Sequence, residues 1–326
     1  MMDFTLDQVA RARQYTYALL GRLFLEELTT ELLPLVQAIQ ELAGGLPELF
    51  DPDEIAADHQ HLFGFNLFPY ESIFLDTTGL LGGAVSEGVW GHYRRAGYDI
   101  DAMATSPDHI GHELAFLAFL SGAEADAWED NVPLLAQQTQ QQQREFLQTH
   151  LLHWLPPLVL ATRQQSHPFY TALADLTVEF IHAHYAAIPP AVEIDFQLAT
   201  PPTLLDDDAT GLKEIAAYLA TPPYSGVYLS RDDIGRLARR QRLPRGFGSR
   251  QQILANLMRA AVQYEVLPSL LADLQAVVGS WLAGYNDLAA SFPKLSPIAT
   301  VWQARAGGTA RMVSQMSSQL HPAPEA

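Results

Sequence analysis

From Leu6 to about Leu42 the apolar residues recur every three or four positions, among them Val9, Tyr15, Leu19, Leu20, Leu23 and Phe24. That spacing gives a helix one buried face and cannot serve a strand, whose side chains alternate. Thr5 and Gln8 are placed to form a capping box, Pro34 divides the stretch in two, and Gly44-Gly45 ends the second helix. The same period predicts helices over about 52–64, 84–96, 107–120 and 124–155, then from His167-Pro168 to about 187. Further on it predicts 211–220, 231–240, 250–265 and 267–289. Ser230 with Asp233, and Ser249 with Gln252, supply capping boxes for two of these starts. The glutamine-rich run 137–143 is flanked by Leu134, Leu135, Phe146 and Leu147, and reads as a wetted helix face. Between Asn66 and Gly83, Pro69 and several glycines oppose continuous helix. The chain is therefore expected to be all-α, with no repeat of the kind that builds a solenoid.

Pro189-Pro190, Pro201-Pro202 and Asp206-Asp207-Asp208 mark the clearest interruption. The expected organisation is a helical domain over 1–190, a linker over 191–210, an additional helical region over 211–315, and a flexible tail over 316–326. With 48% apolar and 17% charged residues, the chain has enough apolar surface to offset the entropy of ordering it. Neither an apolar run long enough to span a bilayer nor an export signal is visible, so a soluble, cytoplasmic protein without stable membrane insertion is expected. Cysteine is absent, which removes disulfides, thiolate catalysis and cysteine-held zinc or iron–sulfur clusters.

Acids outnumber bases 37 to 19, a formal charge of -18 that argues against nucleic acid as a partner. The average conceals a basic cluster: eight of the nineteen bases fall between Arg231 and Arg259. On the expected 231–240 helix, Arg236, Arg239 and Arg240 can share a solvent face, with Arg242 and Arg245 following in the next loop. Such a patch could meet an acidic partner or dock against the acidic N-terminal part of the same chain.

The strongest local signal is Ser106-Pro107-Asp108-His109-Ile110-Gly111-His112-Glu113. Ser106 suits a helix cap, Pro107 the first helical position, and Asp108 the neighbourhood of the free amides. His109 and Glu113 then lie on one helix face, while Ile110, Leu114, Leu117 and Ala118 form the core-facing set. This helix mouth reads either as a ligand surface or as a stable helix start. Pro69, Tyr70, Glu71 and Ser72, in the aromatic stretch after Phe63, read either as packed core or as part of a peptide groove. Trp154, Phe169, Tyr170, Leu173, Leu176 and Phe180 have the spacing of ordinary helix packing. No HExxH, nucleophile elbow, phosphate loop or dinucleotide loop occurs, and the pairs His59/His61 and His182/His184 do not share a helix face. No catalytic residue, resident cofactor or metal is therefore expected.

Taken in order, these residues resemble the TorD/DmsD/NarJ family of molybdoenzyme chaperones. The likeness rests on Phe63 with Pro69 and Ser72, Tyr93 with Gly97, Pro107-Asp108-His109-Ile110 with Glu113-Leu114 and Phe116-Leu117, then His150-Leu151, Trp154 and Phe169-Tyr170. It covers roughly residues 10 to 187. The resemblance implies a TorD-like helical bundle, here with a C-terminal helical extension, and a non-catalytic role. That role is to bind the catalytic subunit of a molybdopterin oxidoreductase, often through its twin-arginine leader, and hold it for cofactor insertion. It also places client binding at Asp108 and His109; Glu113, on the same helix face as His109, and Pro69, Tyr70, Glu71 and Ser72 of the possible peptide groove are further candidate client-binding residues. Arg236, Arg239, Arg240, Arg242 and Arg245 form a secondary basic contact. A helical adaptor joining two proteins without a maturation role is the alternative.

Overall fold

The computed structural model describes residues 4–100, 106–188, 195–205, 210–244 and 246–320. Pro189-Pro190, Asp206-Asp207-Asp208 and Arg245 lie outside the described residues, as does the chain beyond Leu320. Two compact units are present, the first comprising Met1–Asp76 with Leu80–Ile194 and the second Thr77–Gly79 with Asp195–Ala326. Regular structure among the described residues is helical, and extended segments meet only in one isolated pairing, Tyr70 with His109.

The first unit is built from α1 (Leu6–Leu25), α2 (Leu33–Gln37), α3 (Gln40–Ala43), α4 (Pro52–His59) and α5 (Glu71–Leu75). It continues with α6 (Gly83–Ala96), α7 (Ile110–Glu129), α8 (Pro133–Phe146), α9 (Leu152–Gln164) and α10 (Pro168–Ala187). The long central pair, α1 and α7, pack along each other. They approach closely at two glycines: a Cβ on Gly21 would stand 2.9 Å from the carbonyl oxygen of Gly111, and one on Gly111 would stand 2.7 Å from that of Gly21. Backbone occupies the space where a side chain would go, so the start of α7 is fixed against α1.

Several boundaries differ from expectation. The first helix ends at Leu25, well before Pro34, which instead sits in the first turn of α2, where its missing donor costs nothing. The long helix expected over 124–155 is interrupted by Asp130, Asn131 and Val132, with Asn131 at φ 56° and Pro133 opening α8. Pro156-Pro157 do not end a helix; they lie inside α9. Each removes a donor and crowds the preceding turn. The unbroken buried run from Trp154 to Thr162 offsets that cost. Two π-helical turns, Gln60–Asn66 and Leu147–Leu151, sit at the joints α4–α5 and α8–α9. The glutamine run is only partly wetted, since Gln143 is fully buried.

The second unit contains α11 (Leu212–Ala220), α12 (Pro222–Ser225), α13 (Arg231–Arg240), α14 (Arg250–Gln263), α15 (Leu267–Ser291) and α16 (Ser296–Leu320). α15 and α16, 25 residues each, form its long packed pair, with Trp281, Tyr285 and Trp302 fully buried. Both serine capping boxes form: Asp233 N donates to Ser230 Oγ at 3.0 Å and Ser230 N to Asp233 Oδ2 at 2.8 Å. Ser249 and Gln252 repeat the exchange at 3.3 and 2.9 Å. Where a flexible tail is expected from 316, α16 continues to Leu320 with Met316 buried, because Met316 prolongs the inward-facing set Thr309, Val313.

Candidate functional site

The helix start at 106–113 is assembled differently from its local sequence signal. α7 begins at Ile110, and its cap is His109, whose Nδ1 accepts from the amide of Gly111 at 3.1 Å. Ser106 therefore does not cap the helix, and His109 turns to the backbone instead of to Glu113. The reason is long-range. Glu71 N donates to the carbonyl of Asp108 at 2.9 Å and Ile110 N to the carbonyl of Pro69 at 2.9 Å, pairing 69–71 with 108–110. Asp108 Oδ2 accepts from Ser72 N at 2.9 Å, while Oδ1 accepts from Ser106 Oγ. Tyr93, from α6, donates to the carbonyl of Pro107 at 2.9 Å. Thus Asp108 caps a helix start after all, but that of α5, 36 residues earlier in the chain.

Beneath this pairing lies a buried set of ionisable groups. Glu71 from α5 and Glu113 from α7 bring their carboxyl groups together, both essentially inaccessible to water. His150, from the second π-helical turn, places Nδ1 3.0 Å from Oε2 and 3.2 Å from Oε1 of Glu71. Trp154 Nε1 donates to Glu113 Oε2 at 3.3 Å, and no N–H donor reaches Oε1. Burial, and then the negative charges of Glu71 and Asp108, hold the Glu113 carboxyl well above its ordinary range. Glu71 is also raised, chiefly by burial, but His150 opposes the shift. Glu113 is the more strongly raised of the two, so the proton between the facing carboxyl groups rests on Glu113, with Glu71 turned also to His150. Burial, aided by the charges of His112 and His59, pushes His109 down to about 3, so it is neutral at physiological pH. His92 and His153, beside His150, are pushed down to about 4, again mainly by burial.

Pro69, Glu71, Ser72, Asp108, His109 and Glu113 are thus brought into one cluster, but they are buried. The half-buried rings on this face are Tyr70, 4.8 Å centroid to centroid from His109, and His112, 6.1 Å from it. The roles of His150, Trp154 and Tyr93 in holding the cluster were not legible from local sequence, since their partners lie far away along the chain. The other paired histidines go elsewhere. His184 accepts from Arg13 at 2.9 Å through Nε2 and faces Tyr17 Oη at 2.7 Å through Nδ1, while His61 lies 3.1 Å from the amide of Asn66. Among the described residues no three histidine or carboxylate side chains converge as a metal site would require.

In the second unit the basic residues are less uniform than their spacing suggests. Arg236 is ion-paired with Asp233, and Arg240 reaches Asp273 at 3.5 Å. Arg250 lies 4.1 Å above the Tyr228 ring. Arg239 and Arg242 are exposed, as are Arg231 and Arg259.

A segment that holds both halves of this cluster in a helical bundle defines a class. Residues 25–159 match the sequence model of the family described as nitrate reductase delta subunit, and the likeness to NarJ/TorD-type chaperones is borne out over that stretch. Over 97 residues the chain is also 37% identical to the perchlorate reductase assembly chaperone protein of Dechloromonas aromatica (strain RCB). That alignment takes in 29% of this chain and 42% of the relative, so the chain spans less than half the length of the curated protein it matches. No helix among the described residues is long and apolar enough to cross a membrane.

Proposed function

We propose that this protein is an assembly chaperone for a molybdopterin oxidoreductase: it binds the catalytic subunit's precursor and holds it until the cofactor is inserted, without turning over a substrate. The observation that carries this reading is the long-range pairing of 69–72 with 106–110 over the Glu71–Glu113–His150 cluster, inside the segment that matches the family. The relative named an assembly chaperone supports the same reading. Tyr70 and His112 form the client-facing surface, with the His109 ring packed against both. Asp108, Glu71, Ser72, Glu113 and Pro69 act from beneath it by fixing its geometry. A leader with paired arginines suits the first unit, where 26 acids stand against seven bases. Such work belongs in the cytoplasm, where precursors await cofactor.

The test is a deletion strain in which the molybdenum and pterin contents of the candidate oxidoreductases are assayed. The expected result is an oxidoreductase that accumulates with little cofactor and is restored by the wild-type gene. Full occupancy across every candidate would exclude the maturation role and leave the adaptor. Capture of partners from native cells then identifies the client as the protein retained by the wild type and lost from a Tyr70→Ala/His112→Ala variant.

A further inference from the structure

The second unit carries a cleft separate from the cluster described above. Between α13, α14 and the connection joining them lies a cleft of about 350 Å³. Gly235, Ala238 and Leu257 form its apolar floor, Phe247 stands at its lip 93% exposed, and Arg231 and Asp232 lie at one end. Arg231 and Gly235 of the lining continue along α13 as one row to Arg239, one turn beyond Gly235 and outside the lining, because residues four apart stack on the same helix face. The two arginines are about 12 Å apart along the axis at 1.5 Å per residue. Both are exposed and, among the described residues, neither has an acidic partner, whereas Arg236 and Arg240 on the same helix are committed to Asp233 and Asp273, and Asp232 is itself engaged.

We propose that this cleft docks an extended, acidic segment of another protein, with carboxylates four residues apart and an apolar side chain midway between them. An extended chain advances about 3.3 Å per residue and points alternate side chains the same way. Acids at the first and fifth positions therefore span about 13 Å, matching the separation of Arg231 and Arg239. The third side chain points the same way, into the hollow left by Gly235 and Ala238, where Phe247 can cover it. The small residues make the hollow and the flanking cations set its specificity. Nucleic acid fits less well, because the lining is mostly apolar, an acid, Asp232, stands in it, and the chain as a whole carries -18.

The experiment uses the full-length protein and fluorescence anisotropy with a labelled peptide repeating glutamate, serine, leucine, serine, glutamate. Three further probes are the peptide with leucine replaced by serine, one of the same composition with adjacent glutamates, and a single-stranded oligonucleotide. The parent peptide is expected to bind in a salt-sensitive way and both altered peptides to bind roughly tenfold more weakly. Arg231→Gln/Arg239→Gln should weaken the parent peptide by a similar factor and flatten its salt dependence. Phe247→Ser should weaken the leucine peptide while leaving the serine peptide unchanged. All three substitutions are at exposed positions, and an unchanged thermal transition confirms that the variants fold. Equal affinity for all peptides, or no response to the paired arginine substitution, overturns the proposal. Oligonucleotide binding stronger than peptide binding reassigns the surface to nucleic acid. Self-association abolished by the same substitutions, without peptide binding, reassigns it to a second copy of this chain.

Discussion

Helix α7 carries two buried glutamates, Glu113 and Glu124, eleven residues or about three turns apart on nearly the same face. Their surroundings are opposite. Glu124 accepts from Arg13 at 3.1 Å, Gln143 at 2.9 Å, Gln140 at 2.7 Å and Trp128 at 3.4 Å. It is a buried ion with its charge answered and its lone pairs filled. Glu113 has one N–H donor, Trp154, and faces another carboxyl group. A fold that can satisfy Glu124 so fully has no general difficulty in doing so. The contrast therefore separates a polar cluster that fastens α1, α7 and α8 together from one held by a proton, beneath the surface assigned to the client.

The largest expected effect comes from breaking the satisfied cluster. Glu124→Ala strands Arg13, whose side chain is only 12% exposed, and should cost roughly 3–5 kcal/mol of first-unit stability. Urea unfolding followed by helical signal measures it. A loss below 1 kcal/mol would mean that water reaches Arg13 freely and the contrast is overdrawn.

Asp108→Asn comes next. The carboxylate accepts from Ser72 N and Ser106 Oγ at once, and an amide can face only one of those donors with its oxygen. A cost of about 1–3 kcal/mol is expected, together with weaker client binding that a second substitution at Ser106 does not worsen. Calorimetric titration with the captured client checks this non-additivity. If binding weakens while stability and helix content stay unchanged, Asp108 contacts the client itself and the positioning role is wrong.

Glu113→Gln should have the smallest effect below about pH 4.5, within about 1 kcal/mol, since there the wild type carries the proton in both states and glutamine reproduces the shape and donor of the protonated acid, while at neutral pH the variant should be the more stable of the two. Its signature is the pH profile. A carboxyl whose folded pKa is raised binds more protons folded than unfolded, so wild-type stability falls as pH rises from the ordinary value of 4.5 to the raised value. The glutamine variant should lack most of that decline, leaving the part due to Glu71. On the acid side the sign reverses. His109 is neutral when folded, down to about 3, so its contribution is lost as pH falls from 6.5 towards 3, and His109→Gln should flatten that limb. Identical profiles for wild type and Glu113→Gln would show that Glu113 is not the proton-bearing group.

In the second unit α11, α13, α14 and α15 were legible, α13 and α14 because Ser230 and Ser249 start them by purely local capping, whereas α12 and the long α16 were not read as separate helices. The start of α7 was misread for the opposite reason. Ser106-Pro107-Asp108 has every local mark of a cap, but Asp108 is drawn to Ser72 and its carbonyl to Glu71, and local sequence carries no trace of a partner 36 residues away. Asp108 and His109 were assigned to client binding by family resemblance and 69–72 by the reading of a peptide groove, whereas their convergence and their burial came only from the fold. His150 and Trp154 belonged to the same resemblance but had no role until the π-helical turn and α9 placed them on Glu71 and Glu113. A π-turn breaks the helical period for too few residues to announce itself. The arginines were over-read as one patch because spacing reveals a shared face but not which members an Asp on the same or another helix has already taken.

The pairing of Tyr70 with His109 also dictates an order of events during synthesis. Its links close loops of 36 residues from Ser72 to Asp108, 41 from Glu113 to Trp154 and 79 from Glu71 to His150, and loop-closure entropy must be met before any of them is rewarded. A nascent chain that ends before α9 has no Trp154 to donate to Glu113, and one that ends before the second π-helical turn leaves Glu71 without His150. The ribosome must therefore release almost the whole first unit before the face proposed for the client can acquire its shape, and on that proposal a truncated or stalled chain has no partly formed site with which to sequester a precursor.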